Sequence, residues 1–157
     1  MERSVVPFRA EHLEGLQVQS GQIGEVQGRD VCKETKWLET QTYPSFTGMR
    51  SGDVIGAAGV IPCGLCTGDG WMWLRKGADR WDVLWFFRQT KKVMDALMTD
   101  PQYLTITTVV RCDWPQAHRF VKLLGFANTM VVVHPFNDNK SYDLYERLSW
   151  DSSQQDF

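Results

Sequence analysis

The stretch Tyr103–Phe126, YLTITTVVRCDWPQAHRFVKLLGF, most constrains what this chain can fold into. Leu104 to Val110 is uncharged and dominated by β-branched residues, which lose little freedom on a pleated surface, so it reads as a buried strand. Arg111-Cys112-Asp113 breaks the run. Trp114-Pro115 opens a helix, because proline has no N–H to leave unpaired at the first helical position. Either Asp113 or Trp114 is the N-cap. Ala117, Phe120, Val121 and Leu124 fall on one helical face. Gly125 ends the helix where a left-handed residue is favoured, and Phe126 turns back towards the core.

The segment Ala117–Phe126 reads A-x-x-F-x-x-x-L-G-F. It resembles the fifth strand and fourth helix of the GNAT acetyltransferases, whose usual form is N-x-x-A-x-x-x-Y-x-x-x-G-F. From Ser4 to Trp150 the chain is similar to small GNAT-like proteins encoded by short-tailed phages. Two positions depart from the family pattern: its Asn falls on Trp114, and the Tyr that often serves as general acid falls on Val121. The resemblance implies an α+β, three-layer fold, with a mixed but mostly antiparallel sheet of about six to seven strands, one pair splayed, flanked by about four helices. It also implies acetyl-CoA as the donor in acyl transfer to an amine of a protein or small molecule. The phage likeness implies an alternative, an interaction protein that keeps the fold and docks onto a host enzyme.

At 157 residues the chain fits one domain, burying about two thirds of its unfolded surface, with residues 1–150 as that domain and 151–157 as a frayed polar tail. A hydrophobic content of 43% and a charged content of 23% are those of a globular protein. A net charge of −2 and a pI near 5.9 supply no basic field, so no nucleic-acid partner is expected. The N-terminus MERSVVPFR lacks the apolar core of a signal peptide, and the longest apolar run, Val54–Pro62, is too short to span a bilayer. A cytoplasmic protein without a membrane partner is expected. The 7 Trp permit an aromatic binding surface. The cysteines are Cys32, Cys63, Cys66 and Cys112. Cys63-Gly64-Leu65-Cys66 could be a redox dithiol or half a zinc site, but Thr67-Gly68-Asp69-Gly70 follows as a turn, and a hairpin without a metal is the simpler reading.

In chain order, Ser4–Phe8 reads as a strand and Ala10–Val18 as a helix with Leu13 and Leu16 inward. Ser20–Asp30 is a loop and Val31–Thr40 a second helix. Thr42–Arg50, Val54–Ile61 and Gly70–Leu74 form an antiparallel meander, the small residues of its middle strand marking a close approach by another element. Asp79 caps a helix that runs through Leu97 and stops at Asp100-Pro101, with Asp82 completing a box-like start. Thr129–Phe136 and Ser141–Leu148 make a final hairpin.

The loop Arg75-Lys76-Gly77-Ala78-Asp79-Arg80 feeds that capped helix, and free N–H groups plus the helix dipole would suit an anion there. The resembled enzymes hold the coenzyme A pyrophosphate at this place with Q/R-x-x-G-x-G/A, a spacing this loop lacks. The donor-binding residues expected by resemblance are Trp73, Leu74, Arg75, Lys76, Gly77, Ala78 and Arg80, with Trp114, Ala117 and Phe120 from the following helix. Candidate bases are Asp69, Glu34 and Glu39. Tyr142, Tyr145 and Cys112 are conceivable acids once Val121 is excluded. His12, His118 and His134 form no hydrolase pattern with a Ser or Cys.

Overall fold

The computed structural model describes residues 2–19, 22, 30–40 and 44–149. Most of the expected loop at 20–30, the expected strand start at 42–43 and the tail from 150 onward lie outside the described residues. Among the described residues seven strands form one sheet: β1 (Arg3–Pro7), β2 (Ser45–Arg50), β3 (Asp53–Gly64), β4 (Thr67–Leu74), β5 (Thr105–Arg111), β6 (Ala127–Val133) and β7 (Tyr142–Leu148). Their order is β1-β2-β3-β4-β5-β7-β6, and every neighbouring pair is antiparallel except β4–β5. Among the described residues the helices are α1 (Val31–Thr35), α2 (Arg80–Leu97) and α3 (Pro115–Leu123), with 3₁₀ turns at Ala10–Leu13 and Lys36–Thr40. The α+β fold is the one expected, with helices on both sheet faces. No helix among the described residues is long and apolar enough to cross a membrane.

One face of the sheet packs against α2 and α3 through Met94, Leu97, Ile106, Val110, Val121 and Phe126. Phe86 of α2 seats over β2 and β3, where a Cβ at Gly48 would lie 2.8 Å and one at Gly56 3.2 Å from its ring. The small residues of β3 therefore mark a close helix approach, as their pattern implied. The opposite face collects Phe8, Leu13, Val18, Leu38 and Trp73 beneath the 3₁₀ turns.

The first helix is shorter than expected. Gly15 takes φ +70 directly after Glu14, whose backbone is extended, so Ala10–Val18 yields a single 3₁₀ turn. Val18 then bridges to Arg75 at the end of β4. Val31–Thr40 begins as α-helix and tightens into 3₁₀ from Lys36. Trp114 is the N-cap of α3, since Asp113 is bonded to Arg111 instead. Asp79 caps α2 as expected, accepting from the amides of Trp81 and Asp82 at 2.9 Å. Asp82 does not complete a box, because its buried carboxylate turns inward to Arg3 Nε at 2.7 Å and an Arg50 amino group at 2.9 Å. Cys63 and Cys66 sit exposed at the tip of the β3–β4 hairpin. Among the described residues no group of three or more His, Cys, Asp or Glu is arranged to hold a metal.

Candidate functional site

The parallel ladder between β4 and β5 positions the site. β4 and β5 pair only from Thr67–Thr105 to Asp69–Thr107, after which β4 continues to Leu74 and β5 to Arg111 without pairing. The splay opens a cavity of about 850 Å³, within the range of small-molecule sites. Asp69 to Leu74 and Thr108 to Arg111 form its two strand walls. On the α2–α3 side it is lined by Val83, Met94, Trp114, Ala117, Phe120 and Val121. On the other side it meets Glu34, Thr35, Trp37 and Leu38.

In the splay, β4 turns backbone groups of Gly70, Met72 and Leu74 towards β5, because the alternate residues are turned to β3, as Arg75 N–H shows by donating to Ile55 C=O at 2.8 Å. Thr108 Oγ1 donates to Gly70 C=O at 3.0 Å. Further along, Gln22 takes the place of a missing strand. Its side-chain Nε2 donates to Met72 C=O at 2.6 Å and its Oε1 accepts from Leu74 N–H at 3.0 Å. Gln19 N–H donates to Leu74 C=O at 3.0 Å, and Gln19 Nε2 to Arg75 C=O at 3.0 Å. Gln22 is only 3% exposed, so a side-chain amide satisfies a buried strand edge that the sequence left without a ladder. Nothing in the composition of the 20–30 segment signals this, since a glutamine among glycines reads as solvated loop.

The basic loop runs from the end of β4 into α2. Gly77 adopts φ +75, the left-handed turn its type allows. The amides of Lys76 and Ala78 donate to Gln17 C=O at 2.6 Å and Arg75 C=O at 3.3 Å, and the Asp79 carboxylate takes those of Trp81 and Asp82. Most backbone donors expected to face an anion are thus committed within the chain. The side chains remain: Lys76 and Arg80 are exposed, with the Arg80 guanidinium 4.8 Å from the Trp81 ring centroid. Arg50 bonds both Asp79 and Asp82, and Arg75 approaches Asp82 at 4.0 Å.

Of the expected donor-binding residues, Trp73, Leu74, Ala78, Arg80, Trp114, Ala117 and Phe120 line the cavity, whereas Arg75, Lys76 and Gly77 lie beyond its lining. Asp69 stands where the ladder ends, with part of its surface open to solvent, and desolvation by the surrounding protein raises its carboxyl pKa. Glu34 is exposed and borders the same cavity. Glu39 instead accepts from Ala10 N–H at 2.5 Å. Tyr142 does not reach the cavity: it is fully buried, its hydroxyl donates to Asp138 at 2.6 Å, and its ring stands edge-on to Phe136 with centroids 5.0 Å apart. Tyr145 is buried against α3 with its hydroxyl 2.7 Å from His118 Nδ1, and Cys112 is exposed outside the lining. Val121 occupies the cavity wall with no proton to give.

Neither a protein-family model nor a curated protein matches the sequence. Solved structures do match. An N-acetyltransferase from Staphylococcus aureus Mu50 superposes with a TM-score of 0.70 at 12% identity, over 96% of this chain and 100% of that one. An acetyltransferase of GNAT family from Streptococcus pneumoniae gives 0.70 at 10% identity, over 94% and 99%. Spermidine N-acetyltransferase from Vibrio cholerae, in complex with CoA and spermine, gives 0.70 at 12% identity, over 94% and 95%. The splayed seven-stranded architecture of this chain is therefore the fold of the GNAT N-acetyltransferases.

Proposed function

We propose that the protein is an N-acyltransferase that takes an acetyl group from acetyl-CoA and passes it to an amine. The observation carrying this reading is the end of the β4–β5 ladder at Asp69–Thr107, with a ligand-sized cavity opening from that point. The amine nitrogen attacks the thioester carbonyl, a C–N bond forms, the C–S bond breaks, and the amine loses a proton while the departing thiolate gains one. Asp69 receives the amine proton, and its raised pKa brings it closer to the matched range of a general base. Because Val121 offers no acid, the thiolate takes its proton from water. Leu74 holds the donor's arm along β4 and Trp73 backs that strand from the acceptor face, with Trp114, Ala117 and Phe120 as the arm's apolar wall. The side chains of Lys76 and Arg80, set by the Arg75-Gly77-Ala78 turn, hold its phosphates. Glu34 draws the ammonium form of the acceptor to the cavity.

Calorimetric titration with acetyl-CoA, beside the Lys76→Ala/Arg80→Ala variant, tests this. Micromolar affinity in the wild type, weakened tenfold or more in the variant and more so at low salt, is expected. No heat at millimolar ligand overturns the acyltransferase reading. A second reading, an interaction protein that docks onto a host enzyme, draws on Val121 and on the exposed indoles of Trp37 and Trp81. It calls for loss of target capture on mutating those two residues, with any coenzyme A affinity unchanged.

A further inference from the structure

We infer that the acceptor is a monoamine on a flat apolar body rather than a polyamine, and that Trp37 sets this preference; the inference rests on the acyltransferase reading above. Alternation along β4 puts Asp69, Trp71 and Trp73 on one face, with Ile61 of β3 directly opposite Asp69. Trp71 is fixed there, 5.2 Å from Trp73 and 5.2 Å edge-on from Phe8 between ring centroids. Trp37, 44% exposed, joins the same cavity from the 3₁₀ turn that follows α1. Aromatic and branched side chains thus line the acceptor side, where a planar body gains from apolar burial and ring packing.

The charges point the same way. Among the described residues lining the cavity the carboxylates are Asp69, the base for the reacting amine, and Glu34, so negative charge for further ammonium groups is sparse, while the indole faces can attract the one that reacts. Arg111 borders the cavity too and is bonded to Asp113. A polyamine would have to lay its further ammonium groups along the aliphatic part of the wall, where an unpaired charge is costly. The indole N–H groups of Trp71 and Trp73 are shielded from solvent and have no partner among the described residues. Being donors only, they give this wall no acceptor for a second ammonium group.

The test is direct binding, with no dependence on turnover. Coenzyme A is titrated first; phenethylamine and spermidine are then titrated separately into the loaded protein, for wild type and Trp37→Ala. Phenethylamine should bind at least tenfold tighter than spermidine, and Trp37→Ala should shrink that margin fivefold or more, its coenzyme A affinity reporting that the variant is folded. Equal or tighter spermidine binding, or no amine binding to the loaded protein, overturns the inference and leaves the donor site standing. Failure of coenzyme A itself to bind overturns the acyltransferase reading and this inference with it.

Discussion

At the scale of single residues, Asp69 joins the chemistry to a measurable pH dependence. Desolvation raises its pKa, so in the window between the unfolded and folded values the native state holds a proton that the unfolded chain has released. Stability contributed by this group is therefore present below that window and declines as pH rises through it. Activity follows the opposite course, because only the carboxylate can accept the amine proton. The acid limb of kcat/KM should lie above the ordinary aspartate value of 3.8 and disappear in Asp69→Asn. That variant should lose about 10²- to 10⁴-fold in kcat. An unchanged pH profile would assign the proton to another group. The sequence offers Asp69 as a carboxylate just ahead of the strand Gly70–Leu74, in a stretch that reads as a turn, whereas the structure places it inside β4, which begins at Thr67. Tyr142 was equally visible, but burial and the Asp138 acceptor, which no local pattern encodes, remove it from the cavity.

At the scale of elements, the parts with strong local signals are where their residues place them. The β-branched run forms β5, Asp79 and Trp114-Pro115 start α2 and α3, and Gly125 ends α3 in the left-handed region at φ +92. Ala10–Val18 misleads because Leu13 and Leu16 at helical spacing are read before Gly15, which stops the turn. The residues beyond Gly15 find a better use for their backbone along β4. This arrangement has a consequence for ligand binding. Met72 C=O and Leu74 N–H, the strand groups best placed to bond an amide-bearing donor arm, are held by Gln22. Gln22→Ala should cost about 1 kcal/mol in stability, the net worth of a hydrogen bond. It should also raise acetyl-CoA affinity about fivefold, since the ligand no longer displaces an internal amide. Chemical denaturation and calorimetry on the same preparation read both quantities. A fall in affinity would show that Gln22 holds the strand edge in shape for the ligand instead of competing with it.

At the scale of the whole molecule, a sheet that gives up its central ladder has to be held from its flanks. Asp82 does much of this. It stands on α2, fully buried, and engages Arg3 on β1, Arg50 on β2 and Arg75 just past β4, while Arg50 also reaches the Asp79 cap. One carboxylate thereby fixes the first turn of α2, and with it the Lys76–Arg80 loop, over the far end of the splayed strand. In the sequence Asp82 is indistinguishable from a capping-box residue. Its role appears only once β1 and β2, distant in the chain, are folded beside α2. Removing one partner of a buried ionic network leaves the others uncompensated, so Asp82→Ala should destabilise by about 3 kcal/mol, the lower end for such pairs because the arginines keep part of their hydration. Asp82→Asn, which preserves shape and some hydrogen bonds, should lose less. Urea unfolding of the two variants measures the difference. In native conditions both should weaken acetyl-CoA binding more than they alter amine binding, because the clamp supports the loop and lies away from the aromatic wall. A loss below about 1 kcal/mol in Asp82→Ala would place the network among ordinary surface ion pairs, leaving the apolar packing of Phe86 on β2 and β3 as what holds α2 to the sheet.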